Sequence, residues 1–148
     1  MLTEKEILTK TQVIQISPVT LAFVGDAVYS LFVREKLTLT VGGKTADLQR
    51  VNAGIVSAKG QSVFLDKLLP LLTEEEMDIF RRGKNAKKNT KSKSASHLEY
   101  NRSTGLEAVF GYLWLLGEET RIKELLSQIG EEEFQAVAVA KPFKPVKR

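Results

Sequence analysis

Two stretches of this chain are apolar on nearly every helical face, and each admits a single carboxylate. The first, Ser17 to Glu35, reads SPVTLAFVGDAVYSLFVRE up to its charged end and holds Asp26. Ser17 predicts an N-cap, and Pro18 suits the first turn, where its missing N–H breaks no bond. A helix this apolar belongs in the middle of a core. The second runs from Leu106 through Leu116 and holds Glu107. Each stretch also carries a mid-helix glycine, Gly25 in one and Gly111 in the other. Such a glycine costs about 1 kcal/mol against alanine, and it is tolerated where two backbones pass closely. The two helices are therefore predicted to cross in the core, with Asp26 and Glu107 meeting at one end of the crossing.

A buried carboxylate without a partner costs several kcal/mol. In the bland reading each acid bonds a neighbouring backbone group or faces its own solvent channel. In the chemical reading the two lie together and repel unless a cation sits between them. Hard oxygen ligands suit Mg²⁺, with Mn²⁺ as a substitute, and Mg²⁺ keeps several waters when only one or two carboxylates hold it. A glycosidase-like acid pair is a weaker third option, since sugar-stacking aromatics are scarce. The chain has no cysteine and one histidine, His97. That excludes disulfides, thiol catalysis, cysteine-ligated metals and a histidine-rich site, and His97 itself reads as a surface residue. Chemistry, if any, rests on carboxylates. With no charge-free membrane-length run and no leader, the expectation is a cytoplasmic protein without a membrane partner.

Taken in order, the 148 residues predict one all-α domain over 1–148. A short helix is expected over Thr3 to Thr9, followed by the apolar residues Val13, Ile14 and Ile16. Leu37 to Val41 alternates with threonine, but with no partner strand it reads as a loop into Gly42-Gly43. From Lys44 a helical face of Leu48, Val51 and Ile55 follows, with a kink or break at Gly60 before Phe64, Leu65, Leu68 and Leu69. Thr73 and Glu76 have the spacing of a capping box, with Met77 and Phe80 on the buried side. Asn101 or Ser103 is the expected cap of the Glu107 helix, and Gly117 its end. Glu118 to Gln128 is amphipathic, a shorter helix spans Glu131 to Ala140, and a basic tail occupies about 141–148.

Between Arg81 and Lys93 the composition changes. Arg81, Arg82, Lys84, Lys87, Lys88, Lys91 and Lys93 are joined by no acid and by no apolar side chain larger than alanine. This segment, about 81–97, reads as a solvated, mobile loop. Lysine-rich runs are usually idle. This one directly precedes the Glu107 helix, and the chain's net charge is only +4, so the local density stands out. A cationic loop beside a carboxylate cleft fits a polyphosphate backbone. The loop has no aromatic residue before Tyr100, which argues against stacking on single strands. Duplex recognition through phosphates and 2′-hydroxyls needs only such charges.

FVGDAV at 23–28 resembles the signature helix of the ribonuclease III family, and STGLEAVFG at 103–111 resembles its second catalytic helix. VSAK at 56–59, RGKNAK at 82–87 and YNRSTGLEA at 100–108 are closer to the mini-ribonuclease III branch, which consists of the catalytic domain alone. The resemblance spans about Ser17 to Gly130. Three acids of the broader family are replaced here by Val19, Ala22 and Thr104, which leaves Asp26 and Glu107 and bears on the number of metals per site.

The resemblance implies a ribonuclease III endonuclease-domain-like helical bundle without a double-stranded-RNA-binding domain. It implies a Mg²⁺-dependent homodimeric endonuclease that cuts both strands of duplex RNA, leaving 5′-phosphate and 3′-hydroxyl ends. Asp26 and Glu107 would be its catalytic and metal-holding residues, and the seven basic residues its RNA grip. Precursor of large-subunit ribosomal RNA is the implied substrate. A non-catalytic helical RNA-binding module in ribosome assembly is the alternative, which the presence of both acids disfavours. A helix-turn-helix DNA regulator would suit the charge but not the acid-bearing apolar helices.

Overall fold

A computed structural model describes residues 6–40, 44–86 and 97–130. Among them the order is α1 (Lys10–Ile14), α2 (Pro18–Thr40), α3 (Thr45–Val56), α4 (Ala58–Leu68), a 3₁₀ turn (Leu69–Leu71), α5 (Glu74–Asn85), α6 (His97–Leu115) and α7 (Glu119–Leu126). The fold is an all-α bundle.

Its axis is the crossing of α2 with α6. A β-carbon on Gly25 would fall 1.6 Å from the Glu107 carbonyl oxygen, and one on Gly111 would fall 1.9 Å from that of Leu21. The two helices thus touch backbone to backbone, as the paired glycines predicted. A second glycine contact sets α5 on the other side of α6. A β-carbon on Gly83 would lie 2.9 Å from Gly105 Cα, and Gly105 itself faces the Phe80 ring and carbonyl. Helices α3 and α4 close the bundle against α2 and α6 respectively. Tyr29 of α2 joins them, its ring stacked on Phe64 at 6.0 Å and tilted on Phe110 at 5.5 Å, its hydroxyl donating to the Ile55 carbonyl at 3.3 Å. All three rings are fully buried, which ties three helices to one aromatic centre.

The capping box at Thr73 and Glu76 forms as expected. Glu76 does more than cap. It is buried and accepts from Arg121 of α7 at 2.8 and 3.0 Å, while the same guanidinium donates to the Leu71 carbonyl. This fork clamps α7 to the start of α5.

Several expectations are corrected. No helix covers residues 6–9. Thr9 instead caps α1, in a capping box with Gln12. The expected loop from Leu37 is helix as far as Thr40. Leu37 is buried and Thr38 Oγ1 donates to the Arg34 carbonyl, so packing and back-bonding hold β-branched residues in a helix. The break expected at Gly60 occurs at Ser57, whose hydroxyl accepts from Gly60 N–H at 3.0 Å. Arg81, Arg82 and Lys84, expected in the basic loop, belong to α5, with Arg82 and Lys84 in its last turn. There cations complement the helix dipole. The Glu107 helix begins at His97, ahead of both expected caps. Helix α2 is not wholly interior either: Phe23 is 80 % exposed, Leu31 57 % and Val19 42 %. Lys87, Lys88, Lys91, Lys93, the expected helix over Thr3 to Thr9 up to residue 5, that over Glu131 to Ala140 and the basic tail lie outside the described residues.

Candidate active site

Asp26 follows the glycine that lets α2 touch α6, and Glu107 sits on the α6 turn that Gly25 meets. The crossing therefore fixes both acids by backbone contact rather than by side-chain reach. Asp26 is exposed, whereas Glu107 is largely buried. Their carboxyl groups are hydrogen-bonded to each other. The two acids meet, as the glycine crossing predicted.

The Glu107 carboxyl is pushed up to about 9, first by burial, then by its hydrogen bond to Asp26 and by the Asp26 charge. The amide of Gln61 on α4 acts in the opposite direction. Without a cation, Glu107 is thus neutral at physiological pH. The native protein then holds a proton that the unfolded chain, with an ordinary value of 4.5, has released. Stability in chelator should be greatest below about pH 4.5 as far as this group is concerned, and should fall as pH rises towards 9. Glu107→Gln should remove that fall. Urea unfolding at several pH values, in wild type and variant, measures it.

Among the described residues no cluster of three or more acids or histidines could hold a metal. Two carboxylates from two crossing helices, one largely buried and one open to solvent, form a small hard-oxygen set. Such a set fits a divalent cation that keeps most of its water shell. A cation there would replace the Glu107 proton and relieve the repulsion between the ionised acids.

The predicted RNA-binding residues are distributed unevenly. Arg81 pairs with Asp78 at 3.3 Å and Arg82 donates to the Ile14 carbonyl at 3.3 Å, so both have structural partners. Lys84 is half-buried. The end of α5 that carries them is close to the acids, since a Gly83 β-carbon would lie 3.1 Å from the Thr104 carbonyl and 3.0 Å from Ala108 Cβ. Helix α5 therefore ends beside the α6 turn that carries Thr104, Gly105 and Ala108. Asp26 also borders an apolar groove lined by Phe23, Ala27, Leu31, Phe32 and Trp114.

Gln61 was missed in the sequence. It occupies an ordinary polar position of an amphipathic helix, and nothing in the spacing distinguishes it from a solvent-facing glutamine.

Comparisons with known proteins agree with this geometry. The ribonuclease III domain model matches residues 19–118, which include both acids and both crossing glycines. A mini-ribonuclease 3 of Thermoanaerobacter sp. (strain X514) is 44 % identical over 121 residues, covering 82 % of this chain and 85 % of the relative. One from Symbiobacterium thermophilum is 47 % identical over 109 residues, 74 % of this chain and 84 % of the relative. The Staphylococcus aureus mini-ribonuclease 3 is 40 % identical, over 77 % of this chain and 87 % of its own. A crystal structure of a Fusobacterium nucleatum protein superposes with a TM-score of 0.72 at 34 % identity, covering 81 % of this chain and 96 % of that one. By matched length and identity alike, the chain belongs to the ribonuclease III family.

Proposed function

We propose that this protein is a Mg²⁺-dependent endoribonuclease that cuts both strands of duplex RNA as a homodimer, with Asp26 and Glu107 as its catalytic carboxylates. Membership of the ribonuclease III family makes it an endonuclease of the double-strand-specific class. The observation that carries the finer reading is the hydrogen-bonded carboxyl pair at the glycine crossing. A purely structural role would not need a largely buried glutamic acid held against a second acid.

Asp26 and Glu107 would hold the Mg²⁺, with Mn²⁺ as a substitute. Bound there, the ion supplies charge neutralisation at the scissile phosphate and lowers the pKa of a water. Glu107 would give up its proton to take part, and its backbone, anchored at the Gly25 contact, keeps the carboxylate in place. Asp26, on the open side, presents the site to the RNA backbone. Attack of water on phosphorus breaks the bond to the 3′ oxygen, leaving 5′-phosphate and 3′-hydroxyl ends. Within duplex RNA, the precursor of large-subunit ribosomal RNA is proposed on the resemblance to the mini branch alone.

The exposed apolar face of α2 supports the homodimer. Val19, Phe23 and Leu31 are spaced by four and eight residues along one face, and Phe32 and Trp114 extend it. A contiguous apolar face of this kind marks an interface. Light scattering at micromolar concentration should give about twice the 16.5 kDa chain mass, and Phe23→Glu should lower it. A monomer making concerted double-strand cuts would contradict the arrangement.

The grip is proposed to come from the basic segment, above all Lys87, Lys88, Lys91 and Lys93, with Arg81, Arg82 and Lys84 at its root. Each phosphate neutralised contributes about −0.9 to the slope of log K against log salt on a DNA duplex. Replacing the four lysines by alanine should weaken duplex binding and flatten that slope by about 2 to 4, with cleavage at saturating RNA retained. Unchanged affinity and slope would move the RNA surface elsewhere. The activity itself is tested by offering duplex RNA, duplex DNA and single-stranded RNA, with Mg²⁺ or with chelator. Only duplex RNA with Mg²⁺ should be cut. Among the described residues no helix is long and apolar enough to cross a membrane, which accords with a cytoplasmic RNA-processing role.

A further inference from the structure

Between the second half of α2 and one face of α3 lies an open cleft of about 270 Å³. Helical spacing makes it. Arg34 and Leu37 lie one turn apart on α2, and Thr45, Leu48, Gln49 and Asn52 follow one another along a single face of α3. Leu37 and Asn52 are buried and Leu48 half-buried, so they form the floor, while Arg34, Thr45 and Gln49 are exposed at the rim. Asn52 is out of place on such a floor. It is 6 % exposed, and its Oδ1 has no hydrogen-bond partner among the described residues. Desolvating an acceptor without pairing it is unfavourable, and a leucine has nearly the same shape without that cost. In the wall of a cleft, the missing partner can come from outside.

The lining includes the cation Arg34 and no acid. Arg34 Nε donates to Ser30 Oγ at 3.3 Å, one turn back on α2, which leaves both terminal nitrogens for a ligand. Their planar fork suits a phosphate. A ligand for this cleft therefore carries an anionic oxygen for the rim and a hydrogen-bonding group for the floor. A hydroxyl both donates and accepts, so it pairs with the Asn52 amide in either flipped orientation. A ribose between phosphates has both groups, and its 2′-hydroxyl is what DNA lacks. The cleft is also small, below the roughly 300 Å³ at which pockets for drug-sized ligands begin. It stands on the helix of Asp26, eight residues on, about 12 Å along the axis. The apolar groove that suits a second copy ends on α2 at Phe32, before the cleft begins.

We infer that the α2–α3 cleft is a contact site for the sugar–phosphate backbone of duplex RNA, with Arg34 on a phosphate and the Asn52 amide on a ribose 2′-hydroxyl. The inference rests on reading duplex RNA as the substrate. It adds to that reading a means of telling RNA from DNA, because a cationic segment alone meets the phosphates of either.

The test is duplex binding by the full chain in chelator, followed by fluorescence anisotropy. The probes are a duplex RNA and the same duplex with 2′-fluorine for each 2′-hydroxyl, which keeps the A-form shape but cannot donate a hydrogen bond. Wild type should prefer the hydroxyl duplex. In Asn52→Leu that preference should shrink by about 3–10-fold, the worth of one hydrogen bond, and the thermal unfolding midpoint should equal or exceed that of wild type. Arg34→Gln, a surface change, should keep the preference and lower the slope of log K against log salt by about 1. An equal preference in wild type and a folded Asn52→Leu overturns the inference and means that only water pairs with Asn52. No preference in wild type, or an unchanged salt slope in Arg34→Gln, also overturns it. All three results leave the Asp26–Glu107 site standing. A fall in mass by light scattering, with RNA binding unchanged in both variants, would give the cleft to a second copy instead. Wild type that binds no duplex RNA overturns the inference and the proposed substrate together.

Discussion

Gly25→Ala and Gly111→Ala should each abolish cooperative folding. Intrinsic helix propensity predicts the opposite, since alanine is favoured over glycine by about 1 kcal/mol in a helix interior. Geometry decides between the two effects. The added methyl carbon would lie 1.6 Å from the Glu107 carbonyl oxygen in one case and 1.9 Å from that of Leu21 in the other, where real β-carbons essentially never approach within 3.0 Å. Both obstacles are backbone atoms, so no rotamer change relieves the clash. The helices would have to separate by more than an ångström, opening the core around Tyr29, Phe64 and Phe110. That loss exceeds the 4–5 kcal/mol or so at which single substitutions become exceptional, against a total stability of about 5–15 kcal/mol for a domain. Circular dichroism on heating should show a broad, uncooperative change or none. A sharp transition near that of wild type would mean that α2 and α6 do not cross at these glycines.

Asp26→Asn and Glu107→Gln should have the opposite profile, with the fold intact and cleavage lost. Several kcal/mol of transition-state charge stabilisation are at stake when a catalytic cation loses a ligand. At about 1.4 kcal/mol per tenfold change in rate, cleavage at saturating RNA should fall by at least about 10³. Stability should not fall with it, because Glu107→Gln removes a carboxyl whose ionisation burial and the Asp26 charge oppose, and Asp26→Asn removes that charge. In chelator at pH 8, Glu107→Gln should unfold at a higher urea concentration than wild type, since the buried carboxyl with a raised pKa of about 9 is gone. Duplex binding should persist through the basic segment. Cleavage by Asp26→Asn near the wild-type rate would remove Asp26 from the mechanism. Loss of folding in either variant would favour a structural role for the acids.

The crossing was legible because a glycine in an otherwise apolar helix has few reasons to be there. Gly25 and Gly111 stood out against Leu21, Val24, Val109 and Phe110, and the acids beside them were conspicuous for the same reason. What the pattern could not separate was a face covered by the protein's own core from one left open for another surface. Phe23 and Leu31 read as interior residues yet are exposed. Gly60 was read as a breaker, but its role is to let the backbone of α4 pass close to Gly54, while Ser57 ends one helix and caps the next. The basic residues at 81–84 were assigned to a loop on charge alone, although lysine and arginine are good helix formers and suit a helix C-terminus. Gln61 left no trace, because its burial and its bond to the Val56 carbonyl depend on how α3 and α4 meet. The raised Glu107 carboxyl was hidden likewise, since its first cause is burial.

The central claim, that Asp26 and Glu107 form one cation site, is tested most directly at the Glu107 carboxyl itself. Its side-chain ¹³C resonance can be followed at pH 7.5 in chelator and then through a Mg²⁺ titration. The resonance should begin at the position of a protonated carboxyl and move to that of a carboxylate as Mg²⁺ saturates, with the movement lost in Asp26→Asn. A Glu107 resonance that ignores Mg²⁺ at concentrations supporting cleavage would contradict the account.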